Sequence, residues 1–385
     1  MTVTLRTVLA ALAVLIAVAG LAASVPAQAS PASASDPAPL SPTLYVVNEG
    51  GTVVPGTVTP INAATDVAGS PIKVGSVPFA IVITPNGKTA YVSDISRNFV
   101  TPISTATNKA GRRIRVGVGP FNLAVMPSGR TVYVSNDDSS TVTPISTRSN
   151  KAGKAIRVGL DPGPIAISPN SKTVYSVGLS RLSAISTATN KVTKSVRLGK
   201  GTHAIAISPN SRSVYATNGN SLLRISAATL RVTKSVAVGA DWGMVLSPNG
   251  KMIYTFGCSG VAGTVTPIPT ATLRPERTIR PGFCVGTEIF APDSRALYLV
   301  DSPDGLTNGA VIPLRTATNT VGSPISVGQQ PGPMAILPGA TESAGGTLYV
   351  VNVGSGTVTP ISTTTDEADA PIVVGYLPTA IAIAG

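Results

Sequence analysis

Few residues in this chain are equipped for covalent or metal chemistry. There is one histidine, His203, and two cysteines, Cys258 and Cys284, against 17 acids and 29 lysines and arginines. A single histidine cannot build a multi-histidine metal centre, and any His-based triad would rest wholly on His203. No C-x-x-C-H run for haem attachment and no Walker loop is present. No pair of acids has a spacing that suggests acid–base work. Neither a cofactor nor a metal is expected.

Cations are the chemistry this chain has in quantity, and they are unevenly placed. Residues 85–295 hold 26 basic and 8 acidic residues, whereas the rest of the chain beyond residue 29 holds 2 and 9. Lys88, Arg130, Lys172, Arg212, Lys251 and Arg295 recur at one kind of position, and Lys109, Lys151 and Lys191 at another. Arg113, Arg115, Arg157 and Arg197 add to them. A segregated positive field attracts polyanions and speeds their association.

These positions are set by a repeat. The stretch P-F-A-I-V-I-T-P-N-G-K-T-A-Y-V-S-D at Pro78–Asp94 returns around Tyr133, Tyr175 and Tyr215. Eight tyrosines (Tyr45, Tyr91, Tyr133, Tyr175, Tyr215, Tyr254, Tyr298 and Tyr349) mark it at intervals of 39 to 51 residues. A period near forty with several short strands per unit points to an all-β propeller of four-stranded antiparallel blades. In each repeat strand a ends in Ser/Thr-Pro, b opens on the tyrosine, c reads T-V-T-P-I-S, and d ends in Val-Gly. The chain starts its repeats at a strand b and ends at a strand a, Pro378–Ile383, so the two ends together complete one blade. The count is eight, or seven if the irregular repeat at Tyr298 lies outside the ring. Closure removes open edges. Proline at six c strands (Pro60, Pro102, Pro144, Pro267, Pro313 and Pro360) removes a ladder donor and predicts a break between c and d.

The unit S-P-N-G-K-x-x-Y-V-x-N, with T-V-x-x-I and I-x-V-G after it, resembles the YVTN-repeat (YncE-like) β-propeller family over nearly all of residues 43–385. That resemblance implies a secreted or cell-surface protein, with some members implicated in binding nucleic acid or surface polymers. The chain is also broadly similar to propeller lactonases and lyases, which need polar and metal-binding side chains in the channel; here the channel strand is largely apolar.

Further expectations concern the ends, the cysteines and the channel. Residues 1–29, with Arg6, the apolar run Val8–Ala23 and Ala27-Gln28-Ala29, read as a signal peptide. Residues 30–42 read as a disordered Ala/Pro/Ser-rich lead-in, and residues 43–385 as a single propeller domain. No membrane span is expected after processing. In an exported chain Cys258 and Cys284 are expected to pair. Phe79, Phe121, His203 and Trp242 should ring the channel mouth, either stacking on a ligand or filling gaps between inner strands. Glu288 falls where the other repeats place an apolar residue, unless its register is shifted by one. The expected protein is a monomeric, extracytoplasmic, non-enzymatic module that binds an anionic polymer (cell-wall polymer or nucleic acid) or a protein. The alternative is a lactonase-like hydrolase with its site at the channel mouth.

Overall fold

A computed structural model describes residues 42–50, 54–199, 201–202, 204–239, 243–259, 262–301, 308–339 and 345–384. Residues 1–41, which hold the stretches read as a signal peptide and nearly all of the lead-in, lie outside them, as do His203 and Trp242. The described residues form eight antiparallel sheets, each the blade of a β-propeller. The inner strands touch in cyclic order, from Pro78–Ile83 through Pro120–Val125 and onward to Pro331–Pro338 and Pro378–Ala384. The repeat at Tyr298 is a member of the ring, so the count is eight. The ring is closed by its ends: Thr43–Asn48 pairs with Pro378–Ala384, Leu44 opposite Ile383 and Val46 opposite Ile381.

The core is distributed. Eight apolar clusters occur among the described residues, and each lies between two adjacent blades. No blade buries both faces of its strand b alone, as expected of stacked repeats. The marker tyrosines are buried in these seams, but their hydroxyls reach out of them. Tyr45 Oη donates to Asn108 Oδ1 at 2.7 Å, Tyr91 to Asn150 at 2.5 Å, Tyr133 to Asn190 at 2.8 Å and Tyr254 to Asn319 at 2.7 Å. Tyr349 closes the circle on Asp66 at 3.3 Å, and Tyr298 faces Asp366. In every case the acceptor sits in the c–d turn of the next blade. The acceptor residue adopts a left-handed backbone (Asn108 φ 52°, Asn150 φ 51°), which Asn and Asp tolerate best. Two blades carry Leu230 and Leu273 at that left-handed position. There the leucines are buried against Tyr175 and Tyr215. A lysine of the outer strand crosses the seam instead, Lys194 Nζ to Ala228 O and Lys234 Nζ to Thr272 O.

The Val-Gly that ends strand d has a steric cause. A Cβ on Gly117 would lie 2.8 Å from the side chain of Asn136, and one on Gly375 2.7 Å from Asn48. The asparagine or aspartate that ends strand b therefore packs against the preceding linker. Its donors go to strand c: Asn136 Nδ2 reaches Thr141 Oγ1 and Thr143 Oγ1, and Asn352 Nδ2 reaches Thr357 and Thr359. In the second blade Asp94 takes this place and accepts from the amides of Ser76, Ser96 and Arg97.

Proline in strand c breaks strand d. Pro102 and Pro144 face outer strands split into Lys109–Ala110 with Ile114–Arg115, and Lys151–Ala152 with Ile156–Arg157. The proline carbonyl takes the amide of Gly111 or Gly153 at 2.7 Å where the outer strand turns away. Opposite Pro267 strand d is reduced to a single bridge between Val265 and Ile279. Where Ala184 and Arg224 replace proline, the outer strands Lys191–Arg197 and Val232–Ala237 run unbroken but for one bulge each.

Two outcomes are expected from this architecture. Deleting residues 376–385 removes the inner strand of the first blade, exposes the edge of Thr43–Asn48 and should abolish cooperative unfolding; an unchanged melting temperature would contradict ring closure. The second concerns alkali. Burial raises the phenols of Tyr45, Tyr91, Tyr254 and Tyr298 to about 12, and shifts the other four marker tyrosines upward. Their folded values exceed the unfolded one, so the native state holds more protons. This stability is complete below about pH 10 and is lost as pH rises toward 12. Melting temperature should fall steeply across that window, together with the rise of phenolate absorbance.

Candidate functional site

The basic residues are placed by the a–b hairpin. In Ser247-Pro248-Asn249-Gly250-Lys251, Ser247 Oγ donates to Asn249 Oδ1 at 2.8 Å, and that oxygen also accepts the amide of Lys251 at 2.9 Å. The same turn holds Lys172 through Asn170 and Arg212 through Asn210, both at 3.0 Å, and Lys88 through Asn86. An Asx-type turn of this kind fixes the backbone two residues on. The hairpin is then tied to the start of the c–d turn of its own blade. Lys88 O accepts from Thr105, Arg130 O from Thr147, Lys172 O from Thr187, Arg212 O from Ala227 and Lys251 O from Thr270, at 2.9 to 3.1 Å. Both sets of connections therefore share one face of the ring.

All eight candidate cations, Lys88, Lys109, Arg130, Lys151, Lys172, Lys191, Arg212 and Lys251, are exposed on that face. None is in an ion pair among the described residues, whose salt bridges are Arg295 with Asp293 and Arg315 with Asp366. Arg113 lies over the Phe99 ring at 4.4 Å, and Arg115 and Arg157 are exposed on the outer strands. The cations span the second to sixth blades. Asp66, Asp301, Asp366, Glu367 and Asp369 belong to the first, seventh and eighth.

The opposite face carries the b–c hairpins and the linkers into strand a, joined by bonds such as Ile95 N to Val77 O and Asp137 N to Gly119 O. Phe79 and Phe121 start neighbouring inner strands there and stack on one another, with centroids 4.4 Å apart. Phe121 is only 9% exposed. These two rings fill the gap between their strands instead of presenting a free stacking surface. Glu288 is in register: it pairs with Leu299 as Ile81 pairs with Val92, Leu123 with Val134 and Met334 with Val350. An acid thus occupies an apolar position, half-buried in the seventh blade's inner strand. Burial also raises the carboxyls of Glu49 and Asp301 on this side. Among the described residues no group of three or more His, Cys, Asp or Glu is placed to hold a metal ion.

Cys258 and Cys284 form a disulfide. Cys258 lies inside strand b, Met252–Ser259, which runs further than the repeat suggests, and Cys284 directly precedes strand a of the seventh blade, Val285–Phe290. Among the described residues the sixth blade forms a three-stranded sheet with one further bridge at Ile279, and the bond ties this blade to its neighbour. Sequence reasoning missed Lys154, which stands beside Arg157; only the spacing of K-A-G-K-A-I-R against K-A-G-R-R-I-R could have marked it.

No family profile matches the chain, and no curated protein matches it. Solved structures do. Dihydro-heme d1 dehydrogenase NirN is 15% identical, with a TM-score of 0.72 over 92% of this chain and 77% of that one. AztD from Citrobacter koseri is 12% identical, with a TM-score of 0.65 over 89% and 97%. A putative 6-phosphogluconolactonase from Bacteroides fragilis is 15% identical, with a TM-score of 0.57 over 77% and 98%. Likeness at these identities carries the fold alone.

Reduction should destabilise the sixth blade first. The bond closes a loop with a sequence separation of 26, and the chain-entropy relation assigns such a loop about 3.5 kcal/mol. Cys258→Ser with Cys284→Ser should lower the melting temperature by several degrees; an unchanged melt would show that the bond adds nothing to the packing.

The chain is a β-propeller whose one face concentrates exposed, unpaired cations on five consecutive blades.

Proposed function

We propose that this protein is an exported, non-enzymatic binding module of the YVTN-repeat type, which engages anionic polymers through the basic arc. The observation that carries this reading is the segregation of charge. Cations held in register by the a–b hairpins and c–d turns share one face of the second to sixth blades and lack acidic partners. A surface built for solubility alone has no reason to confine positive charge to one arc. The disulfide is compatible with a site outside the cytoplasm, in keeping with the leader read at residues 1–29. A second reading, hydrolysis at the channel mouth, is favoured by one residue, Glu288 at an apolar position. A lactone panel with divalent metals tests it, and turnover abolished by Glu288→Gln would establish it.

Binding to polyanions should be strongly salt-dependent, because each neutralised phosphate releases counterions. Affinity for polyphosphate or nucleic acid should fall about tenfold or more between low and physiological salt. The triple reversal Arg130→Glu, Lys172→Glu, Arg212→Glu should weaken binding and flatten the salt slope by roughly two to three units. Tyr376→Ala, an exposed residue on the opposite face, serves as the control and should change little. Binding that ignores both salt and the triple reversal would overturn the proposal.

A further inference from the structure

Where the third and fourth blades meet, the outer rim holds a cleft of about 440 Å³. Its origin lies in strand c. Pro144 forces residues 153–155 to leave the sheet between Ala152 and Ile156, so the third blade's outer strand is broken. The fourth blade has Ala184 at the equivalent position, and its outer strand, Lys191–Arg197, continues. The broken strand and the unbroken one therefore do not nest. Lys154 and Arg157 stand on one wall and Lys191 on the other, with Ile156 and the Pro144 ring among the lining groups. Asn190 joins the second wall; the Tyr133 hydroxyl occupies its Oδ1, which fixes the amide and leaves the Nδ2 hydrogens as its remaining donors. No acid lines the cleft, and none of the three cations is in an ion pair among the described residues.

Resting on the reading of a polyanion-binding module, we propose that this cleft is its specific anion subsite and that the polymer it takes is a phosphodiester chain of polyols without bases. One guanidinium together with two ammonium groups suits a phosphate oxygen set, with the arginine giving the directional pair of bonds. Beside the charges the lining combines aliphatic groups (Pro144, Ala155, Ile156 and Val192) with the polar Thr189 and Asn190, which suits a polyol or sugar stem. No aromatic ring lines the cleft, so a base has nothing to stack on. The preceding pair of blades has two broken outer strands, yet it places cations at the equivalent positions, Arg112, Arg115 and Lys151, one blade away along the rim. A chain longer than a few units would engage both places at once and gain by effective concentration.

The test is calorimetry at low salt with a short glycerol-phosphate oligomer, a long glycerol-phosphate polymer and a single-stranded DNA oligomer of equal charge. Three proteins are compared: the native chain, Lys154→Gln/Arg157→Gln/Lys191→Gln, and Arg130→Gln/Lys172→Gln/Arg212→Gln. All six side chains are exposed, and thermal melts confirm that each variant is folded. The cleft variant should lose about tenfold or more in affinity for the short oligomer, whereas the hairpin variant should stay within about twofold for it. Equal binding of the short oligomer to the native and cleft-variant proteins, with the long polymer still bound, overturns the subsite and leaves the polyanion reading standing. Failure of the native protein to bind any of the three probes overturns both. DNA bound as tightly as the glycerol-phosphate oligomer overturns the choice of polymer.

Discussion

The bond from six of the eight marker tyrosines to the next blade's c–d turn is the contact on which this ring depends. A propeller blade cannot bury both its faces, so its stability resides in the seams. The tyrosine serves a seam twice, through the apolar ring within it and through the hydroxyl that pins the neighbouring turn. Because the acceptor needs a left-handed backbone, Asn or Asp at that turn satisfies two demands with one residue. The bonds from Tyr45 to Asn108 and from Tyr349 to Asp66 show that the pattern passes through the closing blade without interruption. In the two seams where leucine replaces the acceptor, the polar link moves outward to a lysine of strand d. The pinning function is kept while the chemistry changes.

The outer strand is where the blades differ, and that difference follows from one position in strand c. Proline there withholds a donor, the outer strand parts from the sheet, and a glycine closes against the proline ring; a Cβ on Gly153 would meet Pro144 Cγ at 3.1 Å. Broken outer strands also blunt an exposed edge that would otherwise template pairing with another chain. The unbroken strands of the fourth and fifth blades carry lysine and arginine instead, which guards the same edge by charge. Basic residues there thus have a structural use beside any role in binding.

Charge on the hairpin face has no such internal partner. The hairpin cations are held by backbone bonds that would form with any side chain at that position, since the Asx turn uses the amide and not the ammonium. The fold does not require them to be basic. That independence is what gives the concentration of cations on five blades its weight. The channel side differs: its aromatic residues among the described set stack on each other, and its inner strands are mostly apolar. The propellers of similar shape include a dehydrogenase and a putative lactonase, and a shared shape at 12 to 15% identity does not carry their chemistry here.

Much of the architecture was legible because a propeller is nearly one-dimensional. Each repeat meets only its neighbours, so the spacing of eight tyrosines, the turn residues and the complementary ends of the chain pointed to strand order, closure and a count of eight or seven. Only the structure placed the irregular Tyr298 repeat in the ring, which makes the count eight. The break of strand d was legible for the same local reason, since a missing amide at Pro102 or Pro144 acts on the adjacent strand. Seam contacts were not. The partner of Tyr91 is Asn150, 59 residues away, and nothing local distinguishes that asparagine from an ordinary turn residue. Register across a bulge was equally out of reach, so only the pairing of Glu288 with Leu299 places that acid in the apolar row. The cleft required tertiary structure most of all. It arises where a broken outer strand stands beside an unbroken one, a mismatch between blades that no single repeat contains.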